Sequence, residues 1–188
     1  LTFALWLHLG TVISVLAVFW RTLLDLFKEV VSTPKDPPPI FWFLLVSTLV
    51  SAAIAFPILL TLDDVSSRFG NAAMGIVGVM MFVTGGLQLR KRTEGRRTKE
   101  ELSLWDAVGA GIAQGFAVIP GLSRSGLTMS VLLARRMERK EALVLSFLMS
   151  VPASLGVGVY TSIDSGLLAS GEALVAMGVA AVVGLFTI

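Results

Sequence analysis

The residues best equipped for chemistry lie between Pro120 and Thr128, in the run Pro-Gly-Leu-Ser-Arg-Ser-Gly-Leu-Thr. Arg124 stands at its centre and is the one charged side chain in the middle of a long apolar stretch. Placing a charge at that depth costs about 3 kcal/mol on insertion scales, so it marks a function by default. A guanidinium presents its donors in a planar fork that matches phosphate oxygens. Gly121 and Gly126 let backbone come close to a ligand, and Ser123, Ser125 and Thr128 add hydroxyls. A helix restarting near Leu127 would aim its first N–H groups and the positive end of its dipole at the loop. Together these residues describe an oxyanion cradle inside a membrane. The plainer alternative is that Arg124 snorkels or pairs with a carboxylate while the glycines only serve helix packing.

The membrane is implied by the elements that must carry this loop. Of 188 residues, 55% are hydrophobic and 15% charged, against about 25% charged in a soluble domain. Residues 1–20, 37–62, 69–89, 142–163 and 173–188 contain no Asp, Glu, Lys or Arg. Four of these runs reach the roughly 20 residues that cross a hydrocarbon core, and the fifth runs to the last residue. They lack the alternation of a transmembrane barrel. The expected fold is all-α: a polytopic membrane protein with about five transmembrane helices, at 1–20, 39–62, 70–89, 142–161 and 172–188. It forms one integral-membrane domain over 1–188, since no soluble stretch is long enough to fold alone. The chain begins at Leu1, inside an apolar run and without a basic leader region, which points to truncation there.

Residues 107–134 are apolar but broken at their middle by Pro120 to Gly126, and lysines and arginines decide how they run. If the segment returns to its own side, thirteen positives fall on one face and only Arg68 on the other. If it spans, the division is nine against five. The first arrangement obeys the positive-inside rule far better. The expectation is a re-entrant helix–loop–helix unit at 104–135, entered from the cytoplasmic side next to a basic cytoplasmic loop at 90–101. Non-helical backbone at that depth is tolerated only within protein or beside a watery cavity. The net charge of +2 and the basic loop are ordinary topology signals, so no nucleic-acid partner is inferred. The absence of cysteine removes disulfides and thiolate chemistry. A faint repeat pairs the first two apolar segments with the last two, and repeats of this kind build sites at their interface.

Other residues invite assignments with plainer readings beside them. His8 is the single histidine but lies in an apolar segment, where a direct catalytic role is the weaker option. Gln114 either faces the site or hydrogen-bonds between helices. Asp63 and Asp64 read as a solvated loop, and Asp106 as a helix-start carboxylate near the dipole. Trp6, Trp20, Trp42 and Trp105 lie near segment ends and suggest an interfacial belt.

The run from Gln114 to Thr128 closely resembles the P-G-x-S-R-S-G-x-T signature of the undecaprenyl-pyrophosphate phosphatase, or bacitracin-resistance, family. Leu7-His8-Leu9-Gly10-Thr11 through Phe19-Trp20-Arg21 is similar to that family's helix after its first motif. Ser146-Phe147-Leu148 with Val151-Pro152-Ala153 resembles the helix after its second. The resemblance implies a multi-pass enzyme of the plasma membrane, built from interlocked inverted repeats. It would hydrolyse an undecaprenyl pyrophosphate to the monophosphate and phosphate, recycling a lipid carrier for cell-wall synthesis. Arg124 would then bind the pyrophosphate, with Ser123 and Thr128 as further polar contacts and Gly121, Ser125, Gly126 and Gln114 completing the substrate site. The family's acidic E-x-x-x-E motif and its histidine have no counterpart here, and the last family helix is also missing. Carboxylates for the Mg²⁺ or Ca²⁺ the family implies would lie outside these 188 residues, and the fragment alone would be inactive. The partners implied are a polyprenyl pyrophosphate lipid and the bilayer, with a homo-oligomer left open. The competing class is a transporter or flippase that binds an anionic lipid head group without chemistry.

Overall fold

The computed structural model describes residues 2–69, 71–89, 95–165 and 171–187. Among them it is all-helical. The order is α1 (Thr2–Ser32), α2 (Pro39–Phe69), α3 (Asn71–Leu89), α4 (Leu104–Phe116), α5 (Arg124–Ala134), α6 (Arg139–Ser165) and α7 (Gly171–Thr187), with a single 3₁₀ turn at Lys99–Glu101 before α4. Gly10–Ser32 and Pro39–Thr61 are long and apolar enough to cross a membrane, and Met74–Leu89 and Leu174–Phe186 are shorter apolar stretches. Outward-facing apolar side chains such as Phe82 and Phe186, each more than four-fifths exposed, suit contact with lipid rather than water.

Several boundaries differ from those the charge pattern suggests. The first helix does not end with its apolar run at Trp20 but continues to Ser32, because Leu23, Leu24, Phe27, Val30 and Val31 recur at helical spacing through the polar stretch. Trp20 therefore lies inside a helix rather than at a segment end. Pro37, Pro38 and Pro39 mark the break, and Pro39 begins α2, where its missing N–H costs nothing. Asp63 and Asp64, expected in a loop, belong to α2.

The chain divides into two compact units. One comprises residues 1–37 and 147–188. Here α1 packs along α7, and Gly10 lets the backbones meet: a Cβ there would strike the Met177 carbonyl oxygen and lie 2.7 Å from Ala180 Cβ. Ser14 Oγ donates to the Ala181 carbonyl at 2.7 Å. Val12, Val15 and Val151 form its core, flanked by Leu16, Phe19 and Phe147.

The second unit, residues 38–146, holds the hairpin of α4 and α5 against α2 and α3. Gly111 and Gly115, four residues apart, line the α4 face turned to α2. Added Cβ atoms would come within 2.8 Å of the Ser47 carbonyl and 2.7 Å of Ile54 Cβ. This is the small-residue spacing that lets membrane helices approach closely.

Candidate functional site

The base of the hairpin is built on Asp106. Ser103 caps α4, its hydroxyl accepting from the Asp106 N–H, while the Asp106 carboxylate accepts from the Ser103 N–H at 2.9 Å. This capping box satisfies two of the helix's unpaired donors and bears out the reading of Asp106 as a helix-start residue. Its carboxylate does more. Arg97 donates to both oxygens, at 3.2 and 2.7 Å, and Arg135 Nε donates at 2.6 Å. Arg97 also donates to the Arg135 carbonyl at 3.0 Å. Asp106 is fully buried. Burial pushes its carboxyl up, but the bonds from Arg97, Arg135 and Ser103 outweigh this and hold it well below the usual carboxylate range. The same carboxylate raises the Arg97 guanidinium. The start of α4 and the end of α5 are thereby tied to one carboxylate.

The end of α5 has its own device. The Arg136 N–H donates to the Leu133 carbonyl and that of Met137 to the Leu132 carbonyl, with Arg136 in the left-handed region at φ 63°. This is a Schellman ending with arginine where glycine is usual. Met137 and Leu132, both fully buried, supply the apolar contact that accompanies it.

At the far end, α4 stops at Phe116 and loosens through Ala117 to Ile119 by three-residue turns. Pro120 follows, and Gly121 takes φ 94°, a conformation that side chains resist. A Cβ on Gly121 would also strike the Val77 carbonyl oxygen of α3. Ser123 then caps α5, accepting from the Gly126 N–H at 3.2 Å, and its own N–H donates to Thr84 Oγ1 of α3 at 3.3 Å. Helix α5 begins at Arg124, three residues before the Leu127 start expected from sequence. The Ser123 cap moves the boundary, and it puts Arg124 in the first helical position, half-buried, at the positive end of the dipole. A Cβ on Gly126 would meet Gln88 Nε2 and, at 3.0 Å, Thr84 Cγ2.

The structure therefore brings Gly121, Ser123, Arg124, Ser125 and Gly126 together in one turn, with Ser125 exposed. Thr128 and Gln114 stand apart from that surface. Thr128 is fully buried; its hydroxyl donates to the Arg124 carbonyl at 2.9 Å and shares a 2.6 Å hydrogen bond with Ser146 Oγ. Gln114 is buried and donates to Ser51 Oγ of α2 at 3.2 Å. The His8, Asp63 and Asp64 side chains, and residues 90–94 of the basic loop, lie outside the described residues. Among the described residues, no three His, Cys, Asp or Glu side chains gather to hold a metal ion. The donors present are hydroxyls, amides and a guanidinium, which do not fit Mg²⁺ or Ca²⁺.

Sequence reading missed Thr84 and Gln88. With Val77 and Met80 they form the α3 stripe 77, 80, 84, 88, one helix face. Two polar residues four apart in an otherwise apolar segment were the available signal. Ser51 and Ser146 had the same signature.

A helical membrane protein with a capped, glycine-bounded arginine turn is the class so far defined. The model of the bacitracin resistance protein BacA family matches residues 1–188, and the chain belongs to that family. It is 39% identical over 175 residues to an undecaprenyl-diphosphatase of Methanococcoides burtonii, covering 86% of this chain and 64% of that protein. Against the undecaprenyl-diphosphatase of Methanopyrus kandleri it is 40% identical over 158 residues, 81% of this chain and 56% of the relative. Against that of Haloarcula marismortui the figures are 36% over 192 residues, 98% and 71%. The chain thus spans under two thirds of the length of the first two.

Proposed function

We propose that the protein takes part in hydrolysis of undecaprenyl pyrophosphate, water cleaving the phosphoanhydride bond to give undecaprenyl phosphate and inorganic phosphate. The observation that carries this reading is Arg124 at the first position of α5, in a turn pinned to α3 through Gly121 and Gly126. There its planar donors and the helix dipole meet an anion together. Preorganised positive groups that stabilise phosphoryl charge are the main catalytic device of such reactions. Ser123 Oγ accepts from Gly126, so its hydroxyl proton is left to donate to a phosphate oxygen. Ser125 lies beside it. Thr128 and Ser146 hold the first turn of α5 from behind, and Gln114 fixes α4 on α2.

The topology follows the same line. α4 and α5, at 13 and 11 residues, are roughly 20 and 17 Å long, short of a hydrocarbon core of about 30 Å. Their outer ends meet at Asp106, which supports a re-entrant hairpin entered from the cytoplasmic side of a multi-pass, inverted-repeat protein of the plasma membrane. The relatives' names favour hydrolysis over a flippase.

The test is phosphate release from undecaprenyl pyrophosphate by the full-length protein. Arg124→Ala is expected to lower turnover by about 10³-fold with thermal unfolding unchanged; near-normal turnover overturns the reading.

A further inference from the structure

Outside the Arg124 turn, the described residues hold an open groove of about 830 Å³ at the charged end of the hairpin, and its lining is mixed in an ordered way. Arg96, Arg139 and Lys140 supply three cations against the single carboxylate of Glu138, while Met129 and Leu143 supply an apolar floor. The volume is in the range of pockets for organic ligands rather than for a lone ion.

The groove is built rather than incidental. The Arg97 N–H donates to the Arg136 carbonyl at 3.1 Å, and the Glu138 N–H returns to the Arg97 carbonyl at 2.8 Å. Gly95 sits so close to Arg136 that a Cβ would strike its carbonyl. Arg96 is caught between these two fixed neighbours, and the left-handed turn at Arg136 brings the chain back to start α6 at Arg139. Three cations are thereby gathered on one rim. All three are exposed, and the ion pairs found among the described residues are those of Arg97 and Arg135 with Asp106.

The floor decides what the cations are for. Leu143 is the second residue of the charge-free run 142–163, and Met129 belongs to the apolar segment 107–134. The groove therefore straddles the boundary between charged loop and apolar helix, where the phosphate and first acyl carbons of a phospholipid lie. Basic pockets at that level attract anionic lipids by about 1 kcal/mol per cation. We infer that this groove binds the head group of an anionic phospholipid, the phosphodiester on Arg96, Arg139 and Lys140 and the acyl chain over Met129 and Leu143.

The experiment is native mass spectrometry of the full-length protein from detergent, loaded with phosphatidylglycerol or phosphatidylcholine, with inorganic phosphate as competitor. Retention of phosphatidylglycerol at least tenfold above phosphatidylcholine is expected, falling about tenfold in R139Q/K140Q and staying in R139K/K140R. E138Q, which removes the opposing charge, should raise retention, a gain that damage to the fold cannot produce. If R139Q/K140Q fails to fold, the loss in R96Q and the gain in E138Q decide. Equal retention of both lipids, no response to these substitutions, or displacement by millimolar inorganic phosphate overturns the proposal. The last outcome would make it a free-anion site.

Discussion

The two ends of the hairpin are fixed by opposite means. At the base, charge does the fixing: one buried carboxylate accepts five hydrogen bonds, three of them from Arg97 and Arg135. At the tip, neutral groups position the backbone. Gly121 and Gly126 meet α3 by close approach, and Thr84 and Ser123 oxygens accept backbone N–H groups. On the proposed function the tip receives a phosphate, and a scaffold of glycines and hydroxyls suits that better than one built of carboxylates. At the base, Asp106, Arg97 and Arg135 lie outside the lining of the groove, and their charges pair with one another.

That contrast is broken most forcefully at the base. Asp106→Asn keeps the shape but leaves Arg97 and Arg135 facing a neutral amide, and is expected to cost about 3 kcal/mol of stability, read by thermal unfolding in detergent. The carboxyl is depressed in the folded state, so the unfolded chain binds more protons between the two values. Its contribution is therefore complete above about pH 4 and lost as pH falls further. A wild-type unfolding temperature that drops below pH 4, with a flatter response in the Asn variant, is the matching outcome.

Next comes the tip. Arg124→Lys keeps charge but loses the fork, and should cut phosphate release about 100-fold while leaving unfolding unchanged. Equal activity would mean that charge alone suffices. Gly121→Ala is strained by φ and by the Val77 carbonyl and should cost about 2 kcal/mol. Gly126→Ala meets chiefly the movable Gln88 amide and should cost less, with Gln88→Ala relieving it. The smallest effect belongs to Thr84→Val, which strips the acceptor from the Ser123 N–H and should cost about 1 kcal/mol. A larger loss in Thr84→Val than in Gly121→Ala would reverse the ranking of steric fit over hydrogen bonding.

What sequence makes legible is what is encoded locally. The charge-free runs mark the helices, and Pro120, Gly121 and Gly126 mark a turn because each restricts or frees its own backbone. The arginine between two serines was found for the same reason. The start of α5 was missed because it depends on a side-chain cap at Ser123. The left-handed turn at Arg136 lacks the glycine that would have announced it. Thr84 and Gln88 could not be placed because their partners lie some forty residues away along the chain, and no local pattern records which helix faces which. Arg97 was counted only as a topology charge for the same reason: its role requires Asp106 and Arg135 at once.

The clasp on Asp106 also bears on the order in which the molecule assembles. Its bonds join residues 9 and 29 positions apart, and the Gln114–Ser51 bond that seats α4 on α2 spans 63. The α1–α7 pairing, by contrast, closes across 167 positions at Ser14 and Ala181. Chain made from the N-terminus onward completes the hairpin and its α2 seat while α7 is still unsynthesised. The arginine turn is thus finished early, and α1 waits for the last helix of these residues before it finds its partner.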